Sequence, residues 1–210
     1  MSGKKRRRAM NAISVNKLPY DFQRVEYIES TSVQGFVVDY IINNKDTEIY
    51  IDAQATLSSS AYLFGNAASL TDIRIFADIS NESVLITSFA SNKRNIMLDD
   101  RMARHKISIG KYLTVDGVTS PFVLSDSDVS SIENNTEKIA LFALNGIIGL
   151  QASSYEKIYE FKISEAGVDV VHLIPCYRKD DNVIGMYDVI NDRFYQNEGS
   201  REFLKGEDVN

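Results

Sequence analysis

Ile158-Tyr-Glu-Phe-Lys-Ile163, His172-Leu-Ile-Pro-Cys-Tyr177, Val183-Ile-Gly-Met-Tyr-Asp188 and Arg193-Phe-Tyr-Gln-Asn197 succeed one another within residues 158–203. Apolar and polar residues alternate in each, and Gly, Asp and Asn punctuate the joins. That pattern predicts consecutive antiparallel strands. Working outward, residues 47–57 carry the cleanest alternation. Ile49, Ile51, Ala53, Ala55 and Leu57 point one way; Glu48, Tyr50, Asp52 and Gln54 point the other. A period of two with one oily face predicts a sheet packed on one side and wet on the other.

Shorter runs of the same kind occupy residues 25–31, 36–42, 62–66, 72–79, 83–90, 95–98, 105–109, 112–115, 122–124 and 138–144. In the run 72–79, Ile73, Ile75, Ala77 and Ile79 form the oily edge. Gly110-Lys111 reads as a hairpin turn. Residues 126–133 are polar enough for a loop or one helical turn. Pro19, Pro121 and Pro175 are each expected at a strand boundary, where a missing N–H is tolerated. Short strands at spacings of roughly 8–12 residues, with almost no helical periodicity, predict an all-β sandwich or barrel. Residues 1–17 show no periodicity and read as a flexible basic arm. Residues 18–210 read as one β-sandwich domain.

The bulk numbers suit this. A chain of 210 residues is ordinary for one sandwich and can bury a core without covalent staples. Cys176 is the single cysteine, so no internal disulfide forms, and a reducing compartment is the expected site of synthesis. No apolar run approaches the ~18 residues that a membrane span needs. The basic N-terminus is not followed by an apolar stretch, so a secretory signal is not expected. The net charge of −6 conceals an asymmetry: Lys4, Lys5, Arg6, Arg7 and Arg8 carry five positive charges, which leaves −11 on the rest. So acidic a body repels nucleic acid and anionic membranes, and only the arm can bind either.

The strands at 158–203 resemble the closing strands of concanavalin A-like (laminin G-like) jelly-roll domains carried by bacteriophage structural proteins. The opening is similar too. Leu18-Pro19 precedes Glu26-Tyr-Ile-Glu-Ser30, with Gln34 and Phe36 after the loop; Ser32 and Val33 depart from the glycine common there. The resemblance covers nearly all of residues 18–206. It implies a jelly-roll fold and a virion setting, with synthesis in a bacterial cytoplasm and docking to other virion proteins through the arm. It does not imply one ligand, because this fold hosts lectins, glucanases, adhesion modules and spacers.

Candidate chemistry follows from the polar face. Glucanases of this fold resemble one another in a Glu-x-Asp-x-Glu strand, since glycoside cleavage needs two carboxyls flanking the bond. Here Glu48 and Asp52 hold the outer positions, but Tyr50 replaces the middle acid. Sugar binding is the stronger expectation: rings stack on sugars, and acids and amides accept from hydroxyls. Glu48, Tyr50, Asp52 and Gln54, with Arg74 and Asp78 from another strand, form the candidate carbohydrate surface. Against it stand the ordinary use of Tyr in strands and the absence of Trp. Asp126, Asp128, Ser130 and Glu137 match positions 1, 3, 5 and 12 of an EF-hand loop, although Ser131 stands where the glycine belongs. The main reading there is an acidic surface loop, with a structural calcium ion as the alternative. No other cofactor is expected. His105 and His172 are too far apart in the chain for a zinc pair, and His172 is expected to pack or sit at the surface. Cys176 reads as a buried filler. The arm, Lys4–Arg8, either contacts nucleic acid, docks on a partner protein or stays solvated, and docking is the preferred reading. A non-enzymatic virion component that adheres to host-surface or mucosal carbohydrate is therefore expected. A structural virion protein packed by neighbouring subunits, possible as an oligomer, and a glycan hydrolase are the alternatives.

Overall fold

A computed structural model describes residues 17–210 apart from 58–60, 68–73, 81–82, 91, 122–123, 147–148 and 153. The basic arm, including Lys4, Lys5, Arg6, Arg7 and Arg8, lies outside the described residues. Two sheets face each other. The first holds β1 (Phe22–Arg24), β2 (Ile28–Ser32), β4 (Thr47–Ala55), β9 (Arg104–Ile109), β10 (Tyr112–Val115), β11 (Val118–Pro121), β15 (Ser154–Glu165), β16 (Val168–Arg178), β17 (Ile184–Asp188), β18 (Arg193–Gln196) and β19 (Leu204–Lys205). The second holds β3 (Phe36–Ile41), β5 (Ala61–Ala67), β6 (Arg74–Ile79), β7 (Val84–Phe89), β8 (Asn92–Met97), β12 (Lys138–Leu141), β13 (Ala143–Gly146) and β14 (Gly149–Ala152). The chain is an all-β, antiparallel sandwich; the pairing of β13 with β5 is parallel.

The order in the first sheet is β11-β10-β9-β4-β15-β16-β17-β18. β15 organises it. β4 runs along one side of β15, while β2 and then β16 line the other. Where β2 gives way to β16, the register with β4 shifts between Ile158 and Glu160. This bulge inserts Tyr159, so Ile158, Phe161 and Ile163 all face inward despite their uneven spacing. Tyr159 and Glu160 are then free to stand on the outer surface together.

The core lies between the sheets. Ile49, Ile51, Ala53 and Ala55 of β4 are fully buried, as their alternation predicts, whereas Leu57 lies beyond the strand end and is 49% exposed. Phe64 of β5 meets Phe161 of β15 edge-on at 5.8 Å, joining the two layers. Phe36, Phe142, Tyr195 and Phe203 form a second aromatic group, with Phe36 stacked on Tyr195 at 5.6 Å. The two sheets are also laced along one edge. β3 presents its outer N–H groups to side chains that follow from β18: Gly35 donates to Asn197 Oδ1 (2.9 Å), Val37 to Glu198 Oε1 (3.2 Å) and Asp39 to Tyr195 Oη (3.1 Å).

Four local expectations are corrected. The run 138–144 is broken at Phe142, whose φ of 60° turns the chain between β12 and β13. Leu124 lies outside any strand; the strand that follows β10 is β11, turned at Asp116-Gly117 with φ of 49° and 86°, while β9 and β10 form the hairpin expected at Gly110-Lys111. Pro175 lies inside β16. Its carbonyl accepts from Val25 N–H (3.0 Å) just past the end of β1, so the absent N–H costs one bond where the neighbouring strand stops. Residues Asp126–Glu133 form a two-turn helix, α1. Ser125 and Asp128 make its capping box: Asp128 N–H donates to Ser125 Oγ, and Ser125 N–H donates to Asp128 Oδ2 (2.8 Å).

Candidate binding face

The outer surface of β9, β4, β15 and β16 carries a continuous layer of charged and aromatic side chains. It arises because the outward residues of β4 (Glu48, Tyr50, Asp52 and Gln54) sit opposite outward residues of both neighbours. Tyr50 is opposite Ser108 and Lys162, Asp52 opposite Lys106 and Glu160, and Gln54 opposite Arg104 and Lys157. Cross-strand neighbours at these spacings interact directly.

Two networks result. In the first, Arg104 reaches diagonally to Asp52 and donates through Nε (2.6 Å) and Nη2 (2.9 Å) to its two oxygens. The same guanidinium lies 3.6 Å over the Tyr159 ring. Tyr159 Oη donates to Gln54 Oε1 (2.8 Å), and Gln54 Nε2 donates to Met102 O (2.7 Å). Tyr27 meets Tyr159 edge-on at 5.4 Å, with the Lys157 ammonium 4.1 Å over its ring. In the second network, Glu160 Oε1 lies 2.8 Å from His172 Nε2 and 2.9 Å from Lys162 Nζ. The His172 hydrogen bond, aided by Lys162, holds the Glu160 carboxyl down at about 2 against its partial burial. Lys162 Nζ also lies 5.5 Å over the Tyr50 ring. Burial, with Asp52 and Glu160 nearby, pushes the Tyr50 phenol up to about 12.

Apart from Glu48, whose exposed side chain makes no hydrogen bond or ion pair among the described residues, the face is therefore saturated internally. Asp52 is 3% exposed with both oxygens taken by Arg104, and both ends of the Gln54 amide are committed. The rings of Tyr27, Tyr50 and Tyr159 each carry a cation. Cation–π contacts at exposed sites are worth only about 0.5–1 kcal/mol, so a ligand that stacked there would displace them at small cost. Asp52 and Glu160 are acids on adjacent strands, the one arrangement here that resembles a hydrolytic pair. Each is clamped by its own cations, and Glu160 stays ionised throughout the neutral range. Retaining cleavage requires one of two carboxyls to hold a proton.

Glu48, Tyr50, Asp52 and Gln54 thus come together as expected. Arg74 and Asp78 do not join them: both belong to β6, in the second sheet, across the core from this face. Alternation along β6 correctly separates Asp78 from buried Ala77 and Ile79, but no sequence pattern says which sheet a strand joins. Arg104, Tyr159, Glu160, Lys162 and His172 went unrecognised. The visible signal was the polar half of residues 158–163, obscured by the bulge at Tyr159. His172 is buried, as the packing expectation allows, but it also orders Glu160; its Nδ1 has no partner among the described residues.

Elsewhere, His105 is buried between Asp116 Oδ2 (2.7 Å) and the Asp100 carbonyl (2.8 Å). Burial pushes the Cys176 thiol up to about 12, consistent with a filler. The EF-hand spacing falls on α1 instead of a loop, and Asp128 is buried in the cap. Among the described residues, no three His, Cys, Asp or Glu side chains converge as a metal site, and no helix is long and apolar enough to cross a membrane. No protein-family model matches the chain, and no curated protein does.

Proposed function

We propose that the chain is a non-enzymatic component of a bacteriophage particle, a jelly-roll module that adheres to host-surface or mucosal carbohydrate. The observation that carries the non-enzymatic part is the clamping of Asp52 by Arg104 and of Glu160 by His172 and Lys162. With Asp52 and Glu160 both spent on cations, the face gives no support to bond cleavage. The phage setting and the jelly-roll topology rest on the resemblance of residues 18–206. The arm, Lys4–Arg8, then serves as the anchor to other virion proteins while the sandwich projects.

The alternative in which neighbouring subunits cover the sandwich calls for a contiguous oily surface. Among the described residues the most exposed large apolar side chains, Tyr20, Met97, Val118 and Val168, lie instead ahead of β1 and on β8, β11 and β16. The deciding experiment is mass spectrometry of purified phage particles, combined with a chain lacking residues 2–17. The expected result is full-length chain in wild-type particles and none after the deletion, with the domain still folded. Absence of the wild-type chain from particles would end the virion reading; release of reducing sugar from host glycan would end the non-enzymatic one.

A further inference from the structure

At one end of the sandwich, β18 of the first sheet approaches β3 of the second. Between them, closed below by the start of β16, lies a cleft of about 520 Å³. Small-molecule sites usually occupy about 300–1,000 Å³. The cleft is separate from the saturated β4 face, and the state of its polar groups is different.

Asp169 enters the cleft half-buried, and no hydrogen bond or ion pair engages its carboxylate among the described residues. Asn191 is fixed. Its Nδ2 donates to Val170 O (2.8 Å) and to Asp188 Oδ2 (2.7 Å), so both hydrogens are used and Oδ1 is left as an oriented acceptor. Arg193 gives Nη1 to Asp39 and lies 5.1 Å over the Tyr195 ring, which leaves other N–H groups of its fork unspent. Tyr40 commits its hydroxyl to Glu165 and lends the cleft only its ring. Ile190, 37% exposed, adds to that apolar wall.

The site thus offers two acceptors, one planar donor and an oily wall. Charge decides the ligand class. Arg193, with Lys138 also bound to Asp39, disfavours a cation. Asp169 and Asp39 disfavour an anion. What remains is a neutral molecule with several hydroxyl donors, at least one acceptor and an apolar face. We propose that this cleft, and not the β4 face, is a binding site for a neutral saccharide unit, with Asp169 and Asn191 accepting from hydroxyls, Arg193 donating, and Tyr40 and Ile190 against the ring. This deepens the adhesion reading and rests on it for the biological role alone.

The test titrates the isotope-labelled full chain with methyl glucoside, methyl galactoside and N-acetylglucosamine, following backbone amide shifts. A parallel arm measures retention of the chain on immobilised host-wall polysaccharide. At least one sugar is expected to shift Val170 and Asn191. Asp169→Ala should weaken that binding at least about tenfold, the loss expected for a hydrogen bond to a charged group. This variant breaks no internal contact and should keep the wild-type spectrum elsewhere, whereas Tyr50→Ala should bind normally. Shifts confined to Tyr50 and Gln54, or silence with all three sugars, would overturn the cleft. Retention on polysaccharide in that case would leave the adhesion reading intact. Cleft shifts without retention would overturn adhesion and keep the site.

Discussion

Arg104→Ala probes the saturated face most directly. Asp52 is 3% exposed, and Arg104 supplies both of its side-chain donors at 2.6 and 2.9 Å. Removing one partner of a fully buried ion pair costs about 3–5 kcal/mol, because the remaining charge is stranded. The Arg104 side chain is 47% exposed, so water enters the vacated space and re-solvates part of the carboxylate. That discount brings the electrostatic part to about 1–2 kcal/mol. Losing the contact over Tyr159 adds about 0.5–1 kcal/mol. A total near 2 kcal/mol follows, read as a fall in the urea midpoint at neutral pH with an unchanged m-value. Asp52→Asn in the Arg104→Ala background should recover part of the loss, since no charge is then stranded. A cycle over the two positions should give a coupling of about 1–2 kcal/mol. A cost below about 0.5 kcal/mol with zero coupling would refute the claim that this carboxylate depends on its guanidinium.

Acid should weaken the second network. Glu160 titrates near 2 when folded against an ordinary value of 4.5, so its contribution is fully present above 4.5 and is lost as pH falls toward 2. At roughly 1.4 kcal/mol per pH unit, and allowing for partial exposure, this amounts to about 2 kcal/mol. Glu160→Gln should flatten that part of the urea-midpoint profile, and an unchanged acid limb would contradict the assignment. A Cβ on Gly185 would stand 2.1 Å from the Tyr195 carbonyl, so Gly185→Ala must push β17 away from β18. A loss above about 3 kcal/mol is expected by thermal unfolding. Phe161→Ala should cost about 3–5 kcal/mol by removing the edge-on contact with Phe64 between the layers. Ser125→Ala should cost only about 1 kcal/mol, seen in denaturant titration, because it affects one cap of a two-turn helix.

The elements legible in the sequence were those whose burial is one-sided and whose spacing is undisturbed. β4 is the clear case: its inward and outward sets came directly from the period of two. Three kinds of information were not local. Arg74 and Asp78 were grouped with β4 because facing direction is encoded in a strand but sheet membership is not. Tyr159 sits in a bulge that shifts the parity of β15, so strict alternation misassigns the residues on one side of it. Phe142 adopts a left-handed backbone conformation that its side chain does not announce, and one expected strand became two. α1 is different: Ser125 and Asp128 have the spacing of a capping box, a local signal of a helix start that the loop or one-turn reading did not use. The candidate cleft was invisible for a stronger reason. Asp169, Asn191 and Arg193 meet Asp39 and Tyr40 across more than 120 residues of chain, as the separations of 154 for Arg193–Asp39 and 125 for Tyr40–Glu165 indicate.

The lacing of β3 has a consequence for behaviour in crowded solution. Unpaired strand margins recruit foreign strands and start aggregates. Here Gly35, Val37 and Asp39 have no donors left to offer, since Asn197, Glu198 and Tyr195 already hold them. The molecule polices that flank with its own late residues, so damage to 195–198 should make the protein sticky well before it makes it unfold.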